Sequence, residues 1–521
     1  MTKQQRYTIK TSLIVALGGF LMGFDASVIS GVIRFIEPQF ELSKVQIGWV
    51  VSSLTLTSTL AMMVAGPIST RYGRKIVLSW AALFYAVSAI ASALAPSYTF
   101  LVIARMLGGF GVGASLIIAP MYIAEIAPPN IRGRLVSLNQ LNIVLGISVA
   151  FFTNYLIFDW SKSDYPLAIN WNLKETAWRF MLGLEAIPAL VYWLGLFRVP
   201  ESPRWLVMCK RDQEALAVFQ QVSSESRAKA DLELVRKGLE KEQGKKQTPW
   251  KELLKPAFRL VLLIGILVAV LQQITGINSV FFYAPMIFEQ SGIGADASFI
   301  QASLVGLTNL IFTILAILFI DRFGRKVLLL FGLSGIAISM FLISYGFAEA
   351  HYELEKEDVA LFANEDIRQK LASIQSIRFE SDIEFKSAIK ALISESEYTQ
   401  VESEMMAYAT HMDSRLVLLG ILAFVASFAI SIGPVMWVLF SEIFPNYIRG
   451  LAISFVGFIN SAVSFTVQLV FPWELDALGS STTFLIYGVF AFLGLIVIAK
   501  ILPETKNKSL EELEAVLIKT E

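Results

Sequence analysis

The sequence predicts an all-α polytopic membrane protein, with about twelve transmembrane helices forming two related six-helix bundles. Three observations carry this reading. Mean hydropathy is +0.61 and only 17% of the 521 residues are charged, too apolar for an ordinary soluble protein. Apolar runs long enough to cross a bilayer recur along the whole chain, and the second half of the chain repeats the first. Formal net charge is zero, so no global field argues for nucleic acid or another highly charged partner.

The basic start MTKQQRYTIK runs directly into an apolar span with no small-residue cleavage site, which reads as a cytoplasmic tail. The apolar runs lie near 11–34, 46–69, 76–95, 98–124, 135–158, 177–198, 257–289, 297–320, 327–347, 415–440, 449–472 and 481–502. An even number of crossings puts both termini on one side. Lys3, Arg6, Lys10, Arg71, Arg74, Lys75, Arg132, Arg134, Arg322, Arg325, Lys326 and Arg449 all fall in segments on that side, which the positive-inside rule makes the cytoplasm. The expected location is the plasma membrane, the inner membrane if the cell is bacterial.

The repeat is gapless over short stretches. Glu125, Ile126, Pro128, Ile131, Arg132 and Gly133 recur as Glu442, Ile443, Pro445, Ile448, Arg449 and Gly450; Arg71, Gly73, Arg74 and Lys75 recur as Arg322, Gly324, Arg325 and Lys326. Pro200 and Glu201 likewise recur as Pro503 and Glu504. Arg74 recurs 251 positions on and Glu125 recurs 317 positions on, so the second half has gained about 66 residues between its third and fourth spans. The division is therefore 1–199, an N-terminal six-helix bundle; 200–256, a cytoplasmic linker with short helices such as QEALAVFQQV; 257–347 and 415–502, the C-terminal bundle; 348–414, an extracytoplasmic polar insertion; and 503–521, a cytoplasmic tail. Within the insertion, DIRQKLASIQSI and EFKSAIKALI space their apolar residues as helices do. A solvated segment without a role is its simplest reading, and a lid or docking element the alternative.

The stretch QQITGINSVFFYAP, Gln272 to Pro285, places three carboxamides inside a segment otherwise fit for lipid. Gln272 lies about 20 Å along a helix beginning at Phe258, near mid-bilayer, where an amide is costly unless it meets a partner. Gln273 and Asn278 lie about 140° apart around an unbroken helix, so one would face away. Gly276 lets the helix unwind and present both, an arrangement by which transporters expose hydrogen-bonding groups to a polar solute. Interhelical bonding is the competing use of such amides.

Asp25, inside the first span, is a functional candidate because a carboxylate in a membrane span is costly. It lies roughly 12 Å from the outer end of its helix and Arg105 roughly 10 Å from the same face of the fourth, so the two charges share a depth. Arginine favours the ionised acid and desolvation the protonated one, so a change in separation or hydration would load or release a proton. A static buried ion pair would use the same residues. Glu125 and Glu442 end the fourth and tenth spans beside Arg71, Arg74, Arg132, Arg322, Arg325 and Arg449, a set suited to ion pairs between the halves that form a cytoplasmic gate.

These motifs resemble those of the sugar porters, the branch of the major facilitator superfamily that contains bacterial xylose/proton symporters and mammalian glucose facilitators. The resemblance implies the major facilitator fold, sugar hydroxyls as ligands of Gln272, Gln273 and Asn278, and proton coupling through Asp25 and Arg105, an acid the glucose facilitators lack. It adds Gln140, Asn309, Trp437 and Asn460 to the sugar site. Carboxamides suit hydroxyls, and an indole face suits the C–H face of a sugar ring. PESPRW from Pro200 and PETKNKSLEEL from Pro503 resemble the family's end-of-half signatures. Departures are Ile147 in place of a second fifth-span glutamine, Ser461 where many members carry tryptophan, and Thr70 in place of the acid before RYGRK, which Asp321 keeps in the second half. They leave glucose, xylose, galactose, fructose and polyols open.

The expected function is proton-coupled symport of a monosaccharide by alternating access; a passive uniporter, a polyol transporter and a non-transporting sensor are the alternatives. Partners are then the sugar, the proton and membrane lipid, without nucleic acid or cofactor; a monomer is compatible with the sequence, which leaves assembly open. The single cysteine, Cys209, excludes an intrachain disulfide, and both histidines, His351 and His411, lie in the insertion. With no phosphate loop, metal cluster or nucleophile triad in the sequence, an enzyme is not expected.

Overall fold

Apolar sequence in lipid has no water to bond its backbone, so it closes its own hydrogen bonds as helix. The computed structural model describes residues 3–129, 131–243, 250–362, 364–445, 448–506 and 512–513. Among them, eleven segments are long and apolar enough to cross a membrane: Lys3–Gln39, Lys44–Tyr72, Arg74–Ala93, Tyr98–Ile126, Arg132–Ser161, Leu173–Leu196, Pro256–Gln290, Ala295–Phe319, Arg325–Ala348, Ser414–Ile443 and Arg449–Ile501. The last is 53 residues long, about 80 Å of helix and far more than one bilayer. Gly479 breaks it, with φ 76° and ψ 162°, so it supplies both the eleventh and the twelfth spans. Three other spans are interrupted, the sixth at Glu185, the seventh at Thr275–Gly276 and the tenth at Ser431.

The chain forms two compact units that do not follow the sequence repeat. The first comprises Met1–Ala26, Ser53–Ala150 and Leu182–Glu252. In it the first and fifth spans cross on small residues: a Cβ at Gly23 would overlap the Ile143 carbonyl, and one at Gly146 the Phe20 carbonyl. The linker helices Pro203–Met208, Asp212–Val222 and Glu225–Gln243 lay Trp205, Val218, Phe219 and Ala228 into the same apolar cluster as Ile118, Tyr122 and Ile126. Trp205 donates its indole N–H to the Thr70 carbonyl at 2.9 Å, which ties the linker to the end of the second span.

The second unit comprises Ser27–Ser52, Phe151–Met181 and Leu253–Glu521. Within it the ends of the fifth and eighth spans meet through stacked Phe158 and Phe299, 4.2 Å between centroids, and Trp49 packs edge-on to Phe465 at 5.8 Å. The insertion has a core of its own, built from Tyr352, Leu371, Phe385, Ile389, Met405 and Met406. A two-residue ladder, His351–Tyr352 against Thr410–His411, closes its base, and helices Lys356–Leu361, Glu365–Leu371, Asp382–Lys390 and Glu395–Ala409 cover the core. Both stretches read as helical from spacing fall partly in these helices.

Ser394 and Glu397 form a capping box at the start of the last of these helices. The hydrogen bond from Lys370, with those from the Ser394 backbone and hydroxyl, holds the Glu397 carboxyl down at about 2. A folded value below the unfolded one means that the stabilisation is complete above about pH 4.3 and is lost as pH falls toward 2. Hydrogen-exchange protection of residues 395–409 is therefore expected to fall between pH 5 and pH 2 in the wild type. Glu397→Gln should lack that protection already at pH 5, and comparing the two at each pH cancels intrinsic exchange.

Candidate functional site

Glycine makes the break in the seventh span. Gly276 sits in the left-handed region with φ 90° and ψ 13°, separating helix Arg259–Ile274 from Ile277–Gln290. Across that break Asn278 Nδ2 donates to Gln273 Oε1 at 2.7 Å, so the two amides that a continuous helix would point apart are bonded to each other. The eleventh span meets them. Asn460 Nδ2 donates to Gln272 Oε1 at 2.8 Å and to the Ala269 carbonyl at 2.9 Å, while Gln273 Nε2 donates to Asn460 Oδ1 at 3.1 Å. Asn278 Nδ2 also donates to Ser464 Oγ at 2.7 Å, and Gln468 Nε2 donates to the same hydroxyl at 2.8 Å.

Four of the seven sugar-site residues expected from sequence, Gln272, Gln273, Asn278 and Asn460, thus form one network, and Ser464 and Gln468 extend it. Those two were missed, although their spacing of four and eight residues from Asn460 puts all three on one helical face. Asn309 is buried in the eighth span, Trp437 is 45% exposed with Phe440 edge-on to its ring at 5.9 Å, and Gln140 is an exposed residue of the first unit. Carboxamides carry donors and acceptors together, so such a network can exchange its internal bonds for bonds to hydroxyls.

Asp25 and Arg105 meet as their shared depth required. Arg105 Nη1 lies 3.3 Å from Asp25 Oδ1, with Asp25 2% and Arg105 1% exposed. Asp25 Oδ2 is buried and accepts no hydrogen bond from a described residue; it fits against Gly108, where a Cβ would stand 2.7 Å from it. A second buried acid interacts with this pair. Glu185, at the break in the sixth span, is fully buried and interacts electrostatically with both Asp25 and Arg105, and its Oε1 likewise has no hydrogen-bond partner among the described residues. Sequence reading passed over Glu185, though the argument that singled out Asp25 applies to it equally.

The charges at the opposite ends of the spans pair in two matching clusters, each inside one unit. In the first, Arg74 forks onto Glu125 with both nitrogens at 3.1 Å, Ser202 donates to the same carboxylate, and Glu201 accepts the backbone N–H groups of Arg74 at 3.0 Å and Lys75 at 3.1 Å. In the second, Arg325 reaches Glu442 at 2.9 Å, Thr505 donates to Glu442 at 2.7 Å, and Glu504 accepts the Arg325 N–H at 3.0 Å. The Pro–Glu signatures therefore end each half with a carboxylate capping the start of the third or ninth span, where unsatisfied N–H groups and the helix dipole favour an anion. Burial lifts the Glu201 carboxyl above the ordinary range despite these bonds; Glu504, less buried, is held below it by backbone N–H groups. Of the remaining gate candidates, Arg71 lies over the Tyr72 ring at 5.2 Å, Arg449 donates to the Phe444 carbonyl at 3.0 Å, and Arg132 and Arg322 are exposed.

These features are those of a helical transporter for polar solutes. The family described as sugar (and other) transporters matches residues 11–361 and 399–517, and the chain belongs to that family. It is 34% identical over 513 residues to an arabinose-proton symporter of Bacillus subtilis, covering 98% of this chain and 96% of that protein. It is 32% identical over 542 residues to a D-xylose-proton symporter of Escherichia coli, covering 98% and 95%. Among solved structures, the xylose transporter of Escherichia coli in an inward open conformation aligns over 98% of this chain and 100% of its own length, with a TM-score of 0.75 and 30% identity.

Proposed function

We propose that this chain is a proton-coupled monosaccharide symporter that works by alternating access. The observation that carries the coupling is the buried Asp25–Arg105 pair, with a carboxylate oxygen that accepts no hydrogen bond from the described residues and with the buried Glu185 interacting electrostatically with both. Ionised and neutral forms of such an acid differ in their attraction to Arg105 and in desolvation cost, so a conformational change that alters either moves a proton. The amide network of the seventh and eleventh spans supplies the sugar-binding groups, with Gln140, Asn309 and Trp437 as further pocket members. The Arg74–Glu125 and Arg325–Glu442 clusters, with Arg71, Arg132, Arg322 and Arg449, serve the cytoplasmic gate. Pentoses such as arabinose and xylose, which name the two symporter relatives, are the first substrates to test.

The protein then sits in the plasma membrane with both termini cytoplasmic, and 1–199 and 257–502 act as the rocking halves, 348–414 being the external insertion. The packing of Phe158 on Phe299 and of Trp49 on Phe465 at the external ends suits a state closed to the outside. The test is uptake of labelled arabinose, xylose, glucose, galactose, fructose and a polyol into proteoliposomes, with and without an imposed pH gradient. Accumulation of one monosaccharide only when the outside is acidic is the expected result; equal uptake with and without the gradient would assign a uniporter instead.

A further inference from the structure

Residues 362–398 fall between the two stretches that match the family, so the family does not account for this part of the insertion. One face of the insertion is fixed to its own unit at the end of the seventh span and at the break between the eleventh and twelfth. Asp382 accepts from the Ser480 N–H at 3.1 Å, just past the Gly479 break; Lys386 donates to Gln290 at 2.9 Å; and Lys390 reaches Asp476 at 3.2 Å. The helix Glu395–Ala409 turns a second face toward the first and second spans. Lys44 Nζ sits between Glu402 at 2.8 Å and Glu37 at 2.6 Å. Arg34 is shared by Glu289 of the seventh span at 2.8 Å and the Ser403 hydroxyl, which itself donates to Glu289 at 2.8 Å. Ser396 donates to Glu41 at 2.9 Å. The same residues border a cavity of about 690 Å³ whose lining includes Arg34, Lys44, Met286, Glu289 and Glu402.

We propose that the insertion completes the extracytoplasmic gate, with Glu402 and Ser403 as gate residues that lock the outer ends of the first and second spans and release them in every transport cycle. The inference rests on the alternating-access reading above. Three polar contacts already hold the insertion on its fixed face, so contacts to Arg34, Lys44 and Glu41 are not needed to retain it. They join it to the helix ends that must separate from the seventh span to admit sugar from outside. The charges are matched for holding: burial disfavours the ionised Glu402 carboxyl, but Lys44 and then Lys386 outweigh it and keep the group below its ordinary value. Lys44 between two carboxylates in a half-enclosed site is a strong but reversible clasp, since opening hydrates all three charges at once.

The test places a reporter cysteine in the cavity, Met286→Cys, in a Cys209→Ser background that removes the exposed native thiol. A membrane-impermeant maleimide is applied from outside to intact cells. Labelling is expected to quicken about tenfold or more in Glu402→Gln and in Lys44→Glu, and to stay near the wild-type rate in Lys44→Arg, which keeps a cation between Glu37 and Glu402. The conservative variant keeps the cation between its two acids, so comparing it with Lys44→Glu decides the matter even where Glu402→Gln does not fold. Equal labelling rates in all these proteins would overturn the gate, whatever the sugar results. A gate that responds as expected while no sugar of the panel is transported would leave it standing and overturn the sugar-transport reading.

Discussion

Asp25→Asn is expected to abolish concentrative uptake while leaving exchange of sugar across the membrane intact. An imposed 100 mV is worth about 2.3 kcal/mol per charge, so coupling to one proton per sugar sustains a gradient of roughly fifty-fold. The variant should reach an accumulation ratio of one and still carry labelled sugar in counterflow. Asparagine keeps the shape and the fit against Gly108, but it has no proton to load and no charge to offer Arg105, 3.3 Å away. Removing one acid from beside a buried cation costs several kcal/mol unless other groups offset the loss. Glu185 interacts electrostatically with the same cation, which is why folding is expected to survive the substitution. Arg105→Met is the harsher change, because it removes the cation with which both buried acids interact. The two acids also make the experiment discriminating. Should Asp25→Asn still accumulate sugar while Glu185→Gln does not, the coupled proton rides on Glu185 and the assignment of Asp25 fails.

What the sequence made legible was decided by how local the cause is. Spans could be counted because crossing a bilayer demands about twenty consecutive apolar residues, and the break at Gly276 could be placed because glycine beside three amides is a conflict visible in one stretch of chain. The twelfth-span boundary was less readable. Glu474, Asp476 and Ser480 look like a loop, yet helix continues to Gly479, because partners distant in sequence absorb the polarity: Tyr487 donates to Glu474, Lys390 of the insertion pairs with Asp476, and Asp382 accepts from Ser480. Pairing was the least accessible layer. Sequence offered two glutamates and six arginines for a gate, and geometry singles out Arg74 with Glu125 and Arg325 with Glu442, each within its own unit rather than between halves. The recurring Pro–Glu signature was visible as a repeat, but its use as a cap on the third or ninth span required knowing that the chain returns there.

Replacing Gly276 by alanine is the second substitution expected to eliminate transport, and two separable physical effects produce it. At φ 90° and ψ 13° an L side chain pays roughly 1–2 kcal/mol for the left-handed backbone. In addition, a Cβ there would stand 2.6 Å from Cδ2 of Tyr487, closer than carbon atoms pack. That ring has little freedom to retreat, since its hydroxyl donates to Glu474 at 2.8 Å and contacts the Ser279 hydroxyl at 3.4 Å. The seventh span can relieve both effects by straightening, but straightening rotates Asn278 away from Gln273 and dissolves the 2.7 Å bond across the break. Sugar binding should therefore be lost in a protein that still folds, measured as absent counterflow with a retained melting transition. Two companions separate the causes. Gly276→Asn relieves the backbone strain, because asparagine tolerates the left-handed region, but it keeps the clash; Gly276→Ala with Tyr487→Ala relieves the clash and keeps the strain. Recovery in the first would make conformation the controlling factor, and recovery in the second would make it space. Full transport by Gly276→Ala itself would mean that the seventh span does not need its break, and the sugar site would have to be sought elsewhere.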